Sequence, residues 1–195
     1  MADLTKRETL DLLPVVPYQE AREDLRSGDL FFASGESLVS QAIRFCTRSP
    51  WSHVGIIFRV EAIDRVLLLE SVEEVGVRLA PLSTYLRADP GDKPYQGLAV
   101  VARVRGWTEL AARRLAAFGI DELTLPYERD EIGRLLARVT LGLPRSRGDR
   151  AWISSELVHE CFRHAGCEFS FSPRGFITPQ DIWEDSRVEL VTRIL

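Results

Sequence analysis

The residues most able to do chemistry in this chain are few. There are three histidines (His53, His159, His164) and three cysteines (Cys46, Cys161, Cys167). A general base working near neutral pH is most often a histidine. His53 stands apart because it opens a strongly β run directly after a Ser-Pro-Trp-Ser turn, and the start of a strand can project a side chain into a cleft. Glu70 ends the apolar run Val66 to Leu69 on what reads as the adjacent strand. A carboxylate there is either solvated at the strand's end or held by a partner, because burying it unpaired is costly. If it accepts a hydrogen bond from one imidazole nitrogen, it fixes the tautomer and leaves the other nitrogen free as a base. The third element is Trp152-Ile153-Ser154-Ser155-Glu156-Leu157-Val158, the start of a helix. A nucleophile there would sit at the positive end of the helix dipole among free backbone N–H groups. A serine there also serves simply as an N-cap, and on the residues alone both readings stand. His159 and His164 lie off the main apolar stripe of the same helix and read as ordinary surface or boundary histidines. The cysteines form no CxxC pair, so neither a disulfide framework nor a zinc finger is indicated, and all three read as small buried hydrophobes.

These side chains need elements to hold them. Three β-rich runs, at 53–60, 65–71 and 75–82, are separated by short charged connections and predict an antiparallel meander, with a fourth run at 97–104. Before them, SGDLFFAS reads as a brief strand or tight turn, and SLVSQAIRFCT as a helix with Leu38, Ala42, Phe45 and Cys46 on its apolar face. After them, WTELAARRLAAFG predicts a helix closed by Gly119, and a second helix is expected over 128–143, weakened by Gly133. WISSELVHECFRHAG places Leu157, Val158, Cys161, Phe162 and Ala165 on one helical face ending at Gly166. Pro179 opens a short helix, and a final strand starts near Val188. Residues 1–24 read as an N-terminal arm, with the ordered core from Leu25 onward. The expected class is α+β, one domain over 25–195.

Composition narrows the function. The 195 residues are 45% hydrophobic and 28% charged with a net charge of −4, which fits one globular domain and argues against a nucleic-acid partner. No run approaches the roughly 18 apolar residues of a membrane span, and no secretory leader pattern opens the chain, so a cytoplasmic location is expected. All but Lys6 and Lys93 of the 25 basic residues are arginines.

Taken in order, Gly28-Asp29, Ser52-His53-Val54-Gly55-Ile56, Glu70, Gly76-Val77 with Pro81-Leu82, Ser155-Glu156-Leu157-Val158 and Thr178-Pro179-Gln180-Asp181-Ile182 resemble the circularly permuted papain-like hydrolases of the NlpC superfamily over residues 27–185. The resemblance implies a small antiparallel sheet packed against helices, with His53 as base, Glu70 as its orienter and the nucleophile at Ser154. It further implies Ser155, Tyr127 and Trp51 as substrate or oxyanion contacts, with Asp29 bracing a turn. The family pattern has Cys-Ser-Glu-Leu where this chain has Ser154-Ser155-Glu156-Leu157. A thiolate can be stabilised in advance at such a site, whereas a serine hydroxyl must lose its proton during attack. Three readings of Ser154 stay open: an engineered cysteine replacement, a natural serine nucleophile, or a protein that only binds. The implied reaction is hydrolysis of an amide, peptide or isopeptide bond without cofactor or metal. The implied partner is a peptide or protein, with the tail of a ubiquitin-like protein as one form. A silent peptide-binding module and a lipid amidase or acyltransferase are the alternatives.

Overall fold

A computed structural model describes residues 6–35, 38–72, 75–86, 95, 97–125, 153–170 and 177–195. The β-branched runs form β2 (Leu30–Ala33), β3 (His53–Val60), β4 (Arg65–Val72), β5 (Gly76–Pro81) and β6 (Ala99–Val104). A final strand, β7 (Val188–Ile194), and the two-residue β1 (Val15–Val16) complete a seven-stranded sheet of order β1-β7-β6-β2-β3-β4-β5. Every neighbouring pair is antiparallel except β1 with β7. The meander read from the sequence is therefore β3-β4-β5, with β2 inserted between β3 and β6.

Because side chains alternate across a strand, the sheet has two distinct faces. Leu30, Phe32, Val54, Ile56, Leu69 and Val77 share one core with Leu157, Val158, Cys161 and Phe162 of the helix Ser154–His164, α6. Phe31, Ala33, Ile57, Leu68 and Val101 share the other with Leu82 and Leu86 of α4 (Leu82–Leu86). Of the remaining helices, α3 spans Leu38–Thr47, α5 spans Glu109–Asp121, α6 spans Ser154–His164 and α7 spans Pro179–Glu184. The α7 helix starts at Pro179, as expected. Thr178 Oγ1 accepts from Asp181 N at 3.1 Å, and Asp181 Oδ2 accepts from Thr178 N at 2.7 Å, a reciprocal capping box.

Several sequence expectations need correction. The α5 helix runs two residues beyond Gly119, which closes nothing. A Cβ there would lie 2.5 Å from Leu69 Cδ2 and 3.3 Å from Cys161 Sγ, so the glycine lets α5 approach β4 and α6 closely. Phe45, assigned to the apolar face of α3, is 84% exposed. The stretch before Leu25 supplies α1 (Lys6–Leu12), α2 (Tyr18–Ala21) and β1, and Leu10 and Ala21 are buried, so the core reaches back before Leu25. The expected 128–143 helix lies outside the described residues. Among the described residues no helix is long and apolar enough to cross a membrane.

Candidate active site

His53 is the first residue of β3 and Glu70 lies one strand away on β4. Alternation places His53 with Gly55 and Ile57, and Glu70 with Leu68, so both side chains emerge on the α4 face of the sheet. There His53 Nε2 meets Glu70 Oε2 at 2.7 Å. Glu70 is fully buried, and the groups holding its charge are visible. Arg78 of β5, directly opposite Glu70 in the ladder, donates through Nε to Oε1 at 2.8 Å, and its Nη2 lies 2.7 Å from the same oxygen. Burial works to raise the Glu70 carboxyl. The hydrogen bonds and charges of His53 and Arg78 outweigh it and hold the group below its ordinary value. Glu70 is thus an ionised carboxylate with one oxygen given to each partner. With Nε2 engaged by the carboxylate, Nδ1 is the imidazole nitrogen left to exchange a proton.

An aromatic wall backs the imidazole. The Tyr85 ring stacks beside His53, centroids 6.1 Å apart and planes 16° apart, and packs against Tyr95 at 5.5 Å. Burial, followed by the proximity of Tyr95 and Glu70, pushes the Tyr85 phenol well above its ordinary value, so it stays neutral. Arg78, Tyr85 and Tyr95 were not singled out from the sequence. The signal for Arg78 was available: counting back through the β4–β5 turn pairs it with Glu70.

Ser154 is the first residue of α6, and the N-cap is Ile153, extended and without a side-chain cap bond. Neither serine is therefore the cap. Ser155 Oγ is buried and donates to the Ile177 carbonyl at 2.8 Å, which ties α6 to the segment entering α7. That segment reaches the start of β3: Ser49 Oγ donates to Gln180 Oε1 at 2.7 Å, and the Trp51 and Trp183 rings lie 4.7 Å apart. The beginnings of α6 and β3 thus lie at the same end of the sheet, although α6 packs on the face opposite His53. Ser154 makes no hydrogen bond to His53 among the described residues.

Two site expectations change, and a third lies beyond the described residues. Trp51 is fully buried between Phe32 and Trp183, so its ring is core and does not line a cleft. The Ser155 hydroxyl is committed to Ile177, which leaves only its backbone for an oxyanion. Tyr127 lies outside the described residues. Asp29 is buried and accepts from Arg103 and the Arg26 amide, the brace expected of it. His159 is buried instead of superficial, because its side of α6 is covered by Phe169, whereas His164 stacks on Phe118 and stays exposed. Burial pushes the Cys161 and Cys167 thiols up, away from the nucleophilic thiolate. Cys46 lies on α3, outside the described side chains. Among the described residues no group of three or more His, Cys, Asp or Glu side chains is arranged to hold a metal ion.

A family model described as permuted papain-like amidase enzyme, YaeF/YiiX, C92 family, matches residues 24–132. That span takes in His53, Glu70 and Arg78 and stops short of Ser154. Among solved structures, the crystal structure of metalloprotein yiiX from Escherichia coli O157:H7 aligns with a TM-score of 0.65 at 19% identity, covering 86% of this chain and 97% of that one. At that identity the likeness is one of fold. No curated protein matches the chain.

Proposed function

Because the chain belongs to the family of permuted papain-like amidases, we propose that it cleaves an amide, peptide or isopeptide bond through a covalent acyl-enzyme, with Ser154 as nucleophile, His53 as general base and Glu70 as the group that orients it. The observation that carries this reading is the 2.7 Å contact of His53 Nε2 with the buried, ionised Glu70. A buried carboxylate spent on one imidazole nitrogen is what a base needs to keep the other nitrogen aimed and basic.

In the proposed reaction Ser154 Oγ attacks the carbonyl carbon while His53 Nδ1 takes its proton. The tetrahedral oxyanion is held by backbone N–H groups at the start of α6, which have no partners within the helix. The imidazolium, stabilised by Glu70, then protonates the leaving amine as the C–N bond breaks. Water, deprotonated by the same nitrogen, releases the acid. Ser154 requires this full proton transfer, whereas a cysteine at the same position would react as a thiolate. The acyl donor we carry forward is a peptide or protein chain, with the tail of a ubiquitin-like protein as one form and the cytoplasm as the setting; the family's amidase chemistry supports the bond type. A second reading, a silent peptide-binding module, is favoured by the lack of a Ser154–His53 hydrogen bond.

One experiment separates them. The protein is treated with a fluorophosphonate probe, Ser154→Cys with a thiol probe, and the modified residue is mapped by mass. Labelling of Ser154 that is lost in His53→Ala supports the serine hydrolase. Labelling only of the introduced cysteine, dependent on His53, keeps the hydrolase site and assigns it to a thiolate. Silence in both overturns the catalytic reading in favour of the binding module.

A further inference from the structure

We propose that Arg78 is a positioning residue for this chemistry, holding Glu70 on one oxygen so that the other is presented to His53. The inference rests on the reading of His53 as the base. Its first support is geometric. Both Nε and Nη2 of Arg78 converge on Oε1, at 2.8 and 2.7 Å, and His53 has Oε2 to itself at 2.7 Å. A guanidinium more often lies across a carboxylate and takes one oxygen with each nitrogen. Here that arrangement would displace the imidazole.

The second support is the register. Glu70 and Arg78 are cross-strand partners in the β4–β5 ladder, so the backbone fixes the pair before any side chain chooses a rotamer.

Imidazole NMR tests this directly, because the chain has three histidines and His53→Ala identifies the resonances in question. In the parent the Nε2–H proton held on Glu70 Oε2 is expected as a downfield, slowly exchanging resonance. In Arg78→Gln that resonance is expected to be lost to exchange, and Ser154 labelling per folded molecule to fall about tenfold, while the signals of His159 and His164 stay in place. An unmoved Nε2–H resonance in Arg78→Gln overturns the proposal, even if thermal stability drops, since a brace alone would do that. Should Arg78→Gln not fold, Arg78→Lys carries the test: a single ammonium lacks the two-nitrogen fork on Oε1, so the resonance is expected to broaden, and an unchanged one overturns the proposal. The spectrum reads the imidazole itself. Failure of the hydrolase reading, seen as His53-independent labelling, is thus distinguishable from failure of this one.

Discussion

Two fully buried carboxylates on neighbouring parts of the same sheet are used in different ways. Asp29, just before β2, takes Arg103 Nε on Oδ1 at 2.6 Å and Nη2 on Oδ2 at 2.8 Å, with the Arg26 amide on Oδ2 at 2.8 Å. Each of its oxygens is committed to a group that never changes charge, and the result is a brace between a turn and β6. Glu70 has an arginine as well, but that arginine is confined to one oxygen and the second belongs to a histidine. Burial and an arginine partner do not distinguish a structural carboxylate from one at a reactive site. What distinguishes them is whether one of the partners can gain or lose a proton.

The largest expected effects fall on the Glu70 side. His53→Ala should slow fluorophosphonate labelling of Ser154 by about 10³-fold or more, and Glu70→Gln by about 10²-fold or more, because the amide cannot stabilise the imidazolium. Both should be measured at matched folded fraction. Equal labelling in Glu70→Gln and the parent would reduce Glu70 to a second brace.

Asp29→Asn should show the opposite pattern. It leaves the Arg103 guanidinium, already one quarter exposed, without its counter-charge. A loss of about 2–3 kcal/mol in urea unfolding is expected, with labelling per folded molecule unchanged. A labelling defect at full folding would mean that the two carboxylates are coupled.

The pH dependence of stability sharpens the same contrast. The Glu70 carboxyl is held below its ordinary value of 4.5 in the folded protein. A carboxyl lowered by folding contributes stability that is complete above the unfolded value and is lost as pH falls through the folded one. The stability difference between the parent and Glu70→Gln should therefore shrink as the solution becomes more acidic than the ordinary carboxyl value of 4.5. Urea midpoints measured from pH 3 to 7 check this, and a gap that widens below pH 4.5 would reverse the assigned direction.

The smallest effect belongs away from both carboxylates. Gly119→Ala pushes a methyl to 2.5 Å from Leu69 Cδ2, the movable end of a side chain. A cost of about 1 kcal/mol in thermal unfolding with unchanged labelling is expected.

Much of this architecture was legible one residue at a time. β-branched runs broken by short charged connections gave strands within a residue or two of those observed, and Pro179 marked the start of α7, because these signals act between residues close in the chain. His53 and Glu70 were legible for a related reason: adjacent strands joined by a short connection have almost no freedom of register. The misreadings share the opposite cause. Gly119 looked like a helix terminator because nothing local records that β4 and α6 crowd that position. Trp51 looked available to a substrate because its burial depends on Trp183, 132 positions later. His159 looked superficial because the element covering it, around Phe169, has no periodicity to announce itself.

The sequence by itself determined the strand and helix repertoire, the membership in a permuted papain-like order of motifs, and the chemistry available: one imidazole, one carboxylate and a hydroxyl in place of a thiol. Those follow from local propensity and residue type. Only the tertiary structure decided that Glu70 is buried and ionised, that Arg78 takes one of its oxygens, and that α6 and β3 begin at the same end of the sheet. Each of these depends on the field and the packing created by residues distant in the chain, and an electrostatic environment exists only once the low-dielectric interior around it has closed.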